Sequence, residues 1–395
     1  MATPPTSPQT TPSKSSHKVV SVSLFGSSDF QGVPLSSEYF EVSSTRLGSG
    51  AWSDVFAASS LETKQESGLD LLTPPATPTK STFARNTCFP RGEIYAVKKP
   101  ASRSAKAVNI AEAKTLTFLH QIKGHEEYLV YFRGIDPTSG HLVLDRYPLS
   151  LEDYINQDLN KRAREARTTT LMTILPTLTK HLVTGLAWIH NAGIIHADIK
   201  PSNILLEAVF PPSTEPSSTR TSFPYTPLYA DFSASLPTHP PTSTTATAND
   251  NKDKDNDNDN GNVDANPATA GGTWDFLAPE LLTSDPSSSP RPSPRSDIYA
   301  LGVTLLFLIV GRSPYADAPN VFLRREMARL GKPMQCIYHD ERFEAVARGL
   351  TAAAARGVDG GGGGGGGVVI AGIKRAVERK AEARVEAGEW ADELL

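Results

Sequence analysis

Near residue 147 the hydrophobic period of the chain changes, and that change constrains its fold more than any other feature. Before it, apolar residues come in short alternating runs: 39–58 around LGSGAW, GEIYAVKKP at 92–100, EYLVYFRGI at 127–135 and HLVLDRY at 141–147. A period of two reads as half-buried strands. The first run reads as two strands joined by a Gly turn, the second as a strand ended by Pro100, and the last two as a hairpin around PTSG. One helix interrupts them, with Ile110, Leu116 and Leu119 near helical spacing over 107–121. Beyond 147, Leu175, Leu178, Leu182, Leu186 and Ile189 recur at three and four residues, and Gly193 follows as a C-cap. YALGVTLLFLIVG (299–311) is too short to cross a bilayer and reads as a buried core helix. NILLE (203–207) and LYADFSAS (228–235) add short strands to this part. Strands first and helices after imply a small β-rich part followed by a larger α-rich one.

Composition explains the gaps between these runs. Of 395 residues only 38% are hydrophobic, with 31 Pro and 29 Gly, so a folded core is interrupted by low-complexity stretches. They are the Pro/Ser/Thr-rich start, 59–88, 210–224, 237–271 centred on NDNKDKDNDNDNGN, and a run of eight glycines at 360–367. The Asp/Asn-rich stretch is not a calcium loop: with Gly261 at loop position six, Pro267 stands where a bidentate Glu is needed. A net charge of -4 argues against a nucleic-acid partner. Two dissimilar cysteines, Cys88 and Cys336, form neither a disulfide framework nor a metal cluster and fit a reducing compartment. The start lacks a secretory apolar core. These features lead us to expect an intracellular, cytoplasmic or nuclear protein without a membrane partner.

The chemistry gathers in HADIKPSNILL (196–206), between the amphipathic helix and a Pro/Ser-rich break. Asp198 suits proton acceptance from a hydroxyl, Lys200 neutralisation of a phosphoryl group, and Asn203 a metal ligand. Asp231, at a strand end, suits a hard divalent ion. Gly48 and Gly50 in LGSGAWSDVF permit close backbone approach to a polyanion, although a hairpin turn alone explains them too. Lys98 lies in an apolar strand, so its charge needs a partner or an escape to solvent. Glu112, on the face of Leu116 and Leu119, is a candidate partner.

Taken together and in this order, the motifs resemble those of the eukaryotic protein kinases. They are Gly48-Ser49-Gly50 with Val55, Ala96-Val-Lys98, Glu112, His196-Ala-Asp198 with Lys200 and Asn203, and Asp231-Phe-Ser233. Gly272-Thr273…Ala278-Pro279-Glu280 and Asp297-Ile-Tyr-Ala-Leu-Gly302 follow. The resemblance implies an α+β, two-lobed fold: a small antiparallel β lobe with one helix, hinged to a larger, mostly α-helical lobe. The implied plan is a disordered segment 1–38 and one domain 39–395. Its N-lobe is 39–145 with an insertion at 59–90; its C-lobe is 146–395 with insertions at 209–226, 237–271 and 357–367.

The resemblance also implies roles. Lys98 would hold the α- and β-phosphates of ATP and pair with Glu112. Asp198 would be the catalytic base and Lys200 would steady the γ-phosphate, while Asn203 and Asp231 bind Mg²⁺. Gly48, Ser49 and Gly50 would cover the phosphates. Val55 and Ala96 would sandwich the adenine, with Leu144, Asp145 and Tyr147 in the hinge. Arg384 would pair with Glu280, with Arg375 as its rival. The implied activity is phosphorylation of protein Ser/Thr hydroxyls; the alternative is a pseudokinase that scaffolds or binds nucleotide. Three positions depart from the family pattern: Ser53, Ala197 for the Arg of His-Arg-Asp, and Ser233 for a Gly. Ala197 implies activity that does not depend on phosphorylation of the activation segment, and Ser233 a restricted inactive flip.

Overall fold

The computed structural model describes residues 40–60, 94–209, 223–238, 274–283, 291–355 and 365–395. Segment 1–38, most of each expected insertion, Cys88, Gly272 and Thr273 lie outside these residues. Five antiparallel strands come first: β1 (Phe40–Ser49), β2 (Ser53–Ser60), β3 (Ile94–Pro100), β4 (Phe132–Ile135) and β5 (Leu142–Asp145), in spatial order β1-β2-β3-β5-β4. Cross-strand partners share a face of a sheet, so register sorts the side chains. Val55, Lys98 and Leu142 align in one row and Ala57, Ala96 and Leu144 in another on the same face. Phe56, Val97 and Val143, and Ala58, Tyr95 and Asp145, take the opposite face.

Helix α1 (Ala105–Leu119) buries Ala105, Asn109, Glu112, Ala113, Leu116 and Leu119, a three-and-four spacing that defines one stripe. The expected strand at 127–135 is shorter than the sequence suggests. Residues His125–Tyr128 form a one-turn helix, α2, entered through Gly124 at φ 91°. Tyr128 then stacks beside His181 and Trp188, with ring centroids at 5.4 and 6.0 Å. That packing overrides the alternating pattern, and β4 begins only at Phe132.

The second part is built on α3 (Leu151–Gln157), α4 (Arg164–Asn191), α5 (Pro294–Val310), α6 (Val321–Leu330), α7 (Pro333–Cys336), α8 (Glu341–Ala355), α9 (Gly365–Ala376) and α10 (Ala387–Glu393). Short strands β6 (Leu149–Ser150), β8 (Ile204–Ala208) and β9 (Tyr225–Tyr229) form one small sheet, and β7 (Ile194–Ile195) pairs with β10 (Leu236–Pro237). Helix α4 runs 28 residues, straight through Pro176 and well ahead of the leucine repeat that announced it. Leu171, Ile174 and Leu175 are fully or nearly fully buried around the proline, and that burial outweighs one missing backbone donor.

Helix α5 is the buried axis expected at 299–311, and it is capped at both ends. Ser293 Oγ accepts from the Ser296 amide at 3.2 Å, Ser296 Oγ accepts from the Ser293 amide at 2.8 Å, and Pro294 fills the first turn. At the other end Arg167 donates to the Leu308 and Ile309 carbonyls at 3.0 and 2.8 Å. Arg342 donates to the Val310 carbonyl at 2.9 Å, and Asn160 to that of Gly311 at 2.8 Å. The carbonyls a helix C-terminus leaves unpaired are thus satisfied by three side chains from elsewhere in the chain.

Helix α9 begins at Gly365, inside the expected 357–367 insertion. A β-carbon on Gly366 would lie 3.0 Å from the Leu350 carbonyl, so glycine lets α9 lie against α8 here. At the far C-terminus the Arg384 side chain is wholly buried and grips Glu280 through two bonds of 2.7 Å. Its rival Arg375 goes to Glu389 and Glu393 instead.

Candidate active site

Lys98, on β3, is buried, and its ammonium is shared. Nζ lies 2.6 Å from Glu112 Oε2 on α1 and 2.8 Å from Asp231 Oδ1, just after β9. One charge thereby joins the sheet, its helix and the second part of the molecule. Burial by itself would lower the Lys98 pKa, but the Asp231 and Glu112 carboxylates hold it well above the usual lysine value. The two acids diverge. Fully buried Glu112 is pushed up by burial, whereas Asp231, partly open to solvent, is held well below the ordinary range by Lys98 and the Ser233 hydroxyl against its own burial. Glu112 Oε1 also accepts from the Phe232 amide at 3.2 Å, tying α1 to the turn that carries Asp231.

The loop 196–203 is held from below by a single acid. Asp297, at the start of α5, accepts from the His196 and Ala197 amides at 2.8 Å each and contacts His190 Nε2 at 3.0 Å. Ala197 is left-handed at φ 64°, a conformation costly for a residue with a β-carbon. Above it, Asp198 Oδ2 accepts from Lys200 Nζ at 2.7 Å and from Asn203 Nδ2 at 2.9 Å. Among the described residues Asp198 Oδ1 takes no hydrogen bond. Burial raises the Asp198 pKa, and Lys200 only partly offsets it. Asn203 Nδ2 also donates to the Asp198 carbonyl at 2.8 Å, leaving its Oδ1 unbonded among the described residues.

The register decides which of the other expected residues share this face. Val55, Ala96 and Leu144 lie with Lys98. Asp145 does not, because it falls one residue out of phase. Its carboxylate is spent on Arg133, at 2.5 Å to Nε and 2.9 Å to Nη2, and the Arg133 guanidinium lies over the Tyr95 and Tyr131 rings. Tyr147 likewise turns its hydroxyl to the Tyr131 amide, accepting at 2.9 Å. These two side chains fasten the hinge to β4 and to the residue before it, so any part of 145 and 147 in holding a nucleotide falls to their backbone. Gly48 and Ser49 end β1, paired with Val55 and Asp54, and Gly50 opens the turn to β2, where its amide donates to the Ser53 carbonyl at 2.8 Å. Neither glycine has positive φ, and an added β-carbon would meet nothing closer than 3.6 Å, so the fold itself does not demand glycine at either position.

Sequence reasoning missed three parts of this site. Asp297 was read only as a motif letter, yet an acid opening a fully apolar helix run signals buried amide partners. Arg133 was not singled out. The Ser233 hydroxyl, read as a restriction on backbone flipping, in fact donates to Asp231 at 2.6 Å.

The donor set fits a hard divalent cation. Asp231 Oδ2 and Asn203 Oδ1 are oxygens left open among the described residues, and Mg²⁺ typically takes one or two such protein ligands beside water and phosphate. No group of three or more His, Cys, Asp or Glu among the described residues forms a closed metal cage, so such an ion would complete its shell with other oxygens.

A family model, the protein kinase domain, matches residues 84–210, which span β3 to the end of β8 and hold Lys98, Glu112, Asp198 and Asn203. Over this stretch, about a third of its length, the chain is similar to the protein kinase domain. Similar proteins include the serine/threonine-protein kinase PkaB of Streptomyces coelicolor, 30% identical over 43% of this chain and 33% of that protein. The 3-phosphoinositide-dependent protein kinase 1 of Arabidopsis thaliana is 30% identical over 38% of this chain and 24% of its own length. A protein kinase and PP2C-like domain-containing protein of the same plant is 27% identical over 45% of this chain and 22% of its own. The chain thus spans a fifth to a third of these relatives. The antiparallel sheet with α1 and the helical part on α4 and α5 are the two lobes of the kinase fold.

Proposed function

We propose that this kinase transfers the γ-phosphoryl group of ATP, with Mg²⁺, to Ser or Thr hydroxyls of protein substrates. The observation that carries this reading is the shared ammonium of Lys98, 2.6 Å from Glu112 and 2.8 Å from Asp231. It assembles a cation, its clamp and a metal-type carboxylate across both lobes. Phosphoryl transfer asks little covalent chemistry of the protein and much positioning and charge compensation.

Lys98 meets the α- and β-phosphates while Glu112 keeps its ammonium in place. Val55, Ala96 and Leu144 bracket the adenine, the hinge contributes the backbone of 145–147, and the segment Gly48, Ser49 and Gly50 covers the phosphates. Asp198 orients the acceptor hydroxyl through its open Oδ1 and takes its proton as the new O–P bond forms; the bond to the β–γ bridging oxygen breaks and ADP leaves. Lys200, 2.7 Å from Asp198, balances charge on the transferred group. Held by Asn203 and Asp231, Mg²⁺ would neutralise phosphate charge. The domain is read as 39–395, in an intracellular setting, and the kinase names of the relatives support a protein substrate. Among the described residues no helix is long and apolar enough to cross a membrane.

Ala197 and Ser233 favour a second reading, a nucleotide-binding pseudokinase. The two are separated by incubating the purified chain with Mg²⁺, labelled ATP and a generic basic protein, beside Asp198→Asn and Lys98→Met. Transfer abolished by both substitutions supports the enzyme. No transfer, with Mg²⁺-ATP still raising the melting temperature, supports the pseudokinase.

A further inference from the structure

Position 233 carries a hydroxyl where the family pattern has glycine, and among the described residues that hydroxyl has one hydrogen-bond partner. Ser233 Oγ donates to Asp231 Oδ1 at 2.6 Å, the Ser233 amide donates to the same oxygen at 3.4 Å, and Lys98 Nζ donates to it at 2.8 Å. A carboxylate oxygen has two lone pairs, so Oδ1 is fully engaged and Oδ2 is the oxygen left to meet a cation. The backbone adds a second constraint. Asp231 sits at φ 63° and ψ 72°, left-handed for a non-glycine residue, and its side chain caps the short turn Phe232–Ala234 that Ser233 belongs to. The strained backbone and the carboxylate torsion are held by the same residue.

We propose that Ser233 is a positioning residue for the divalent metal: by occupying Asp231 Oδ1, its hydroxyl fixes Oδ2 toward the cation and raises the affinity of the nucleotide site for Mg²⁺. This rests on the phosphotransferase reading above. Without the hydroxyl, only Lys98 and one long amide bond among the described residues restrain the carboxylate, which is then free to turn about its last torsion. Hydrogen bonds that orient a metal-binding carboxylate commonly tune affinity by roughly 10- to 100-fold.

The test titrates Mg²⁺ into the full-length wild type, Ser233→Ala and Ser233→Thr at a fixed, saturating ATP concentration. It reads the nucleotide-dependent shift in melting temperature. Ser233→Ala raises the Mg²⁺ concentration for half-maximal shift by roughly 10-fold or more. Ser233→Thr, which keeps the hydroxyl, restores the wild-type midpoint. The shift given by ATP in EDTA, and the melting temperature of the free protein, stay as in wild type. An unchanged Mg²⁺ midpoint in Ser233→Ala overturns the proposal. So does a lower melting temperature of the free variant with no change in that midpoint, which makes the serine structural. A wild type that shows no Mg²⁺-dependent nucleotide shift overturns the phosphotransferase reading itself, and this proposal falls with it.

Discussion

Asp198 is held where burial penalises its charged form. Burial raises its pKa above the ordinary 3.8, so its favourable contribution to stability is complete below that value and is lost as pH rises through the raised one. At neutral pH the ionised, buried carboxylate is therefore a cost that the fold carries. We expect Asp198→Asn to lose phosphoryl transfer while melting at or above the wild-type temperature at neutral pH; a clearly lower melting temperature refutes the argument. In the wild type, kcat/KM should fall on acidification with an apparent pKa above 3.8, because the base must be ionised to accept a proton. Lys98 carries the opposite lesson. Lys98→Met leaves the buried Glu112 carboxyl without its partner and should cost roughly 3 kcal/mol in urea unfolding. Lys98→Met with Glu112→Leu should recover most of that loss and none of the activity.

Among the elements, α5 shows how far a helix end depends on chain far from it. Gly311 is left-handed at φ 83°, and a β-carbon there would collide with Asn160 and Arg342 and crowd Arg167, the three side chains that cap the carbonyls of residues 308–311. Gly311→Ala should destabilise the protein by about 2 kcal/mol or more, from backbone strain and displaced caps together. Denaturant unfolding measures this, and a change under about 0.5 kcal/mol would show that the caps shift without loss. The apolar run 299–310 made this helix legible in advance. Its caps were not legible, because Asn160, Arg167 and Arg342 lie 151, 141 and 32 residues from the carbonyls they reach. The one-turn α2 escaped notice for a similar reason: the alternation at 127–135 was genuine, but Tyr128 is claimed by α4.

For the molecule as a whole, the pair Arg384–Glu280 joins the C-terminal tail to the segment that follows the long Asp/Asn-rich stretch. Arg384 is buried, also donates to the Glu378 and Arg379 carbonyls at 2.7 and 3.0 Å, and lies over the Tyr299 ring. Arg384→Met should lower stability by about 3 kcal/mol, whereas Arg375→Met, on a surface pair, should stay within about 1 kcal/mol. Thermal denaturation of the two variants side by side checks this, and equal losses would contradict the burial argument.

The chain's linear pattern was enough for the segregation of strands from helices, for the order of the kinase motifs, and for pairing Lys98 with Glu112. Periodicity and motif spacing are local properties, set by the geometry of a strand, a helix or a tight loop. Tertiary structure alone decided which oxygen of Asp231 is engaged, which face Asp145 takes, and how Asp297 supports the backbone at His196 and Ala197. Each of these depends on a cross-strand register or on a contact between residues about a hundred positions apart. No local pattern encodes such a contact, because the folded core, and not the neighbouring sequence, supplies the partner.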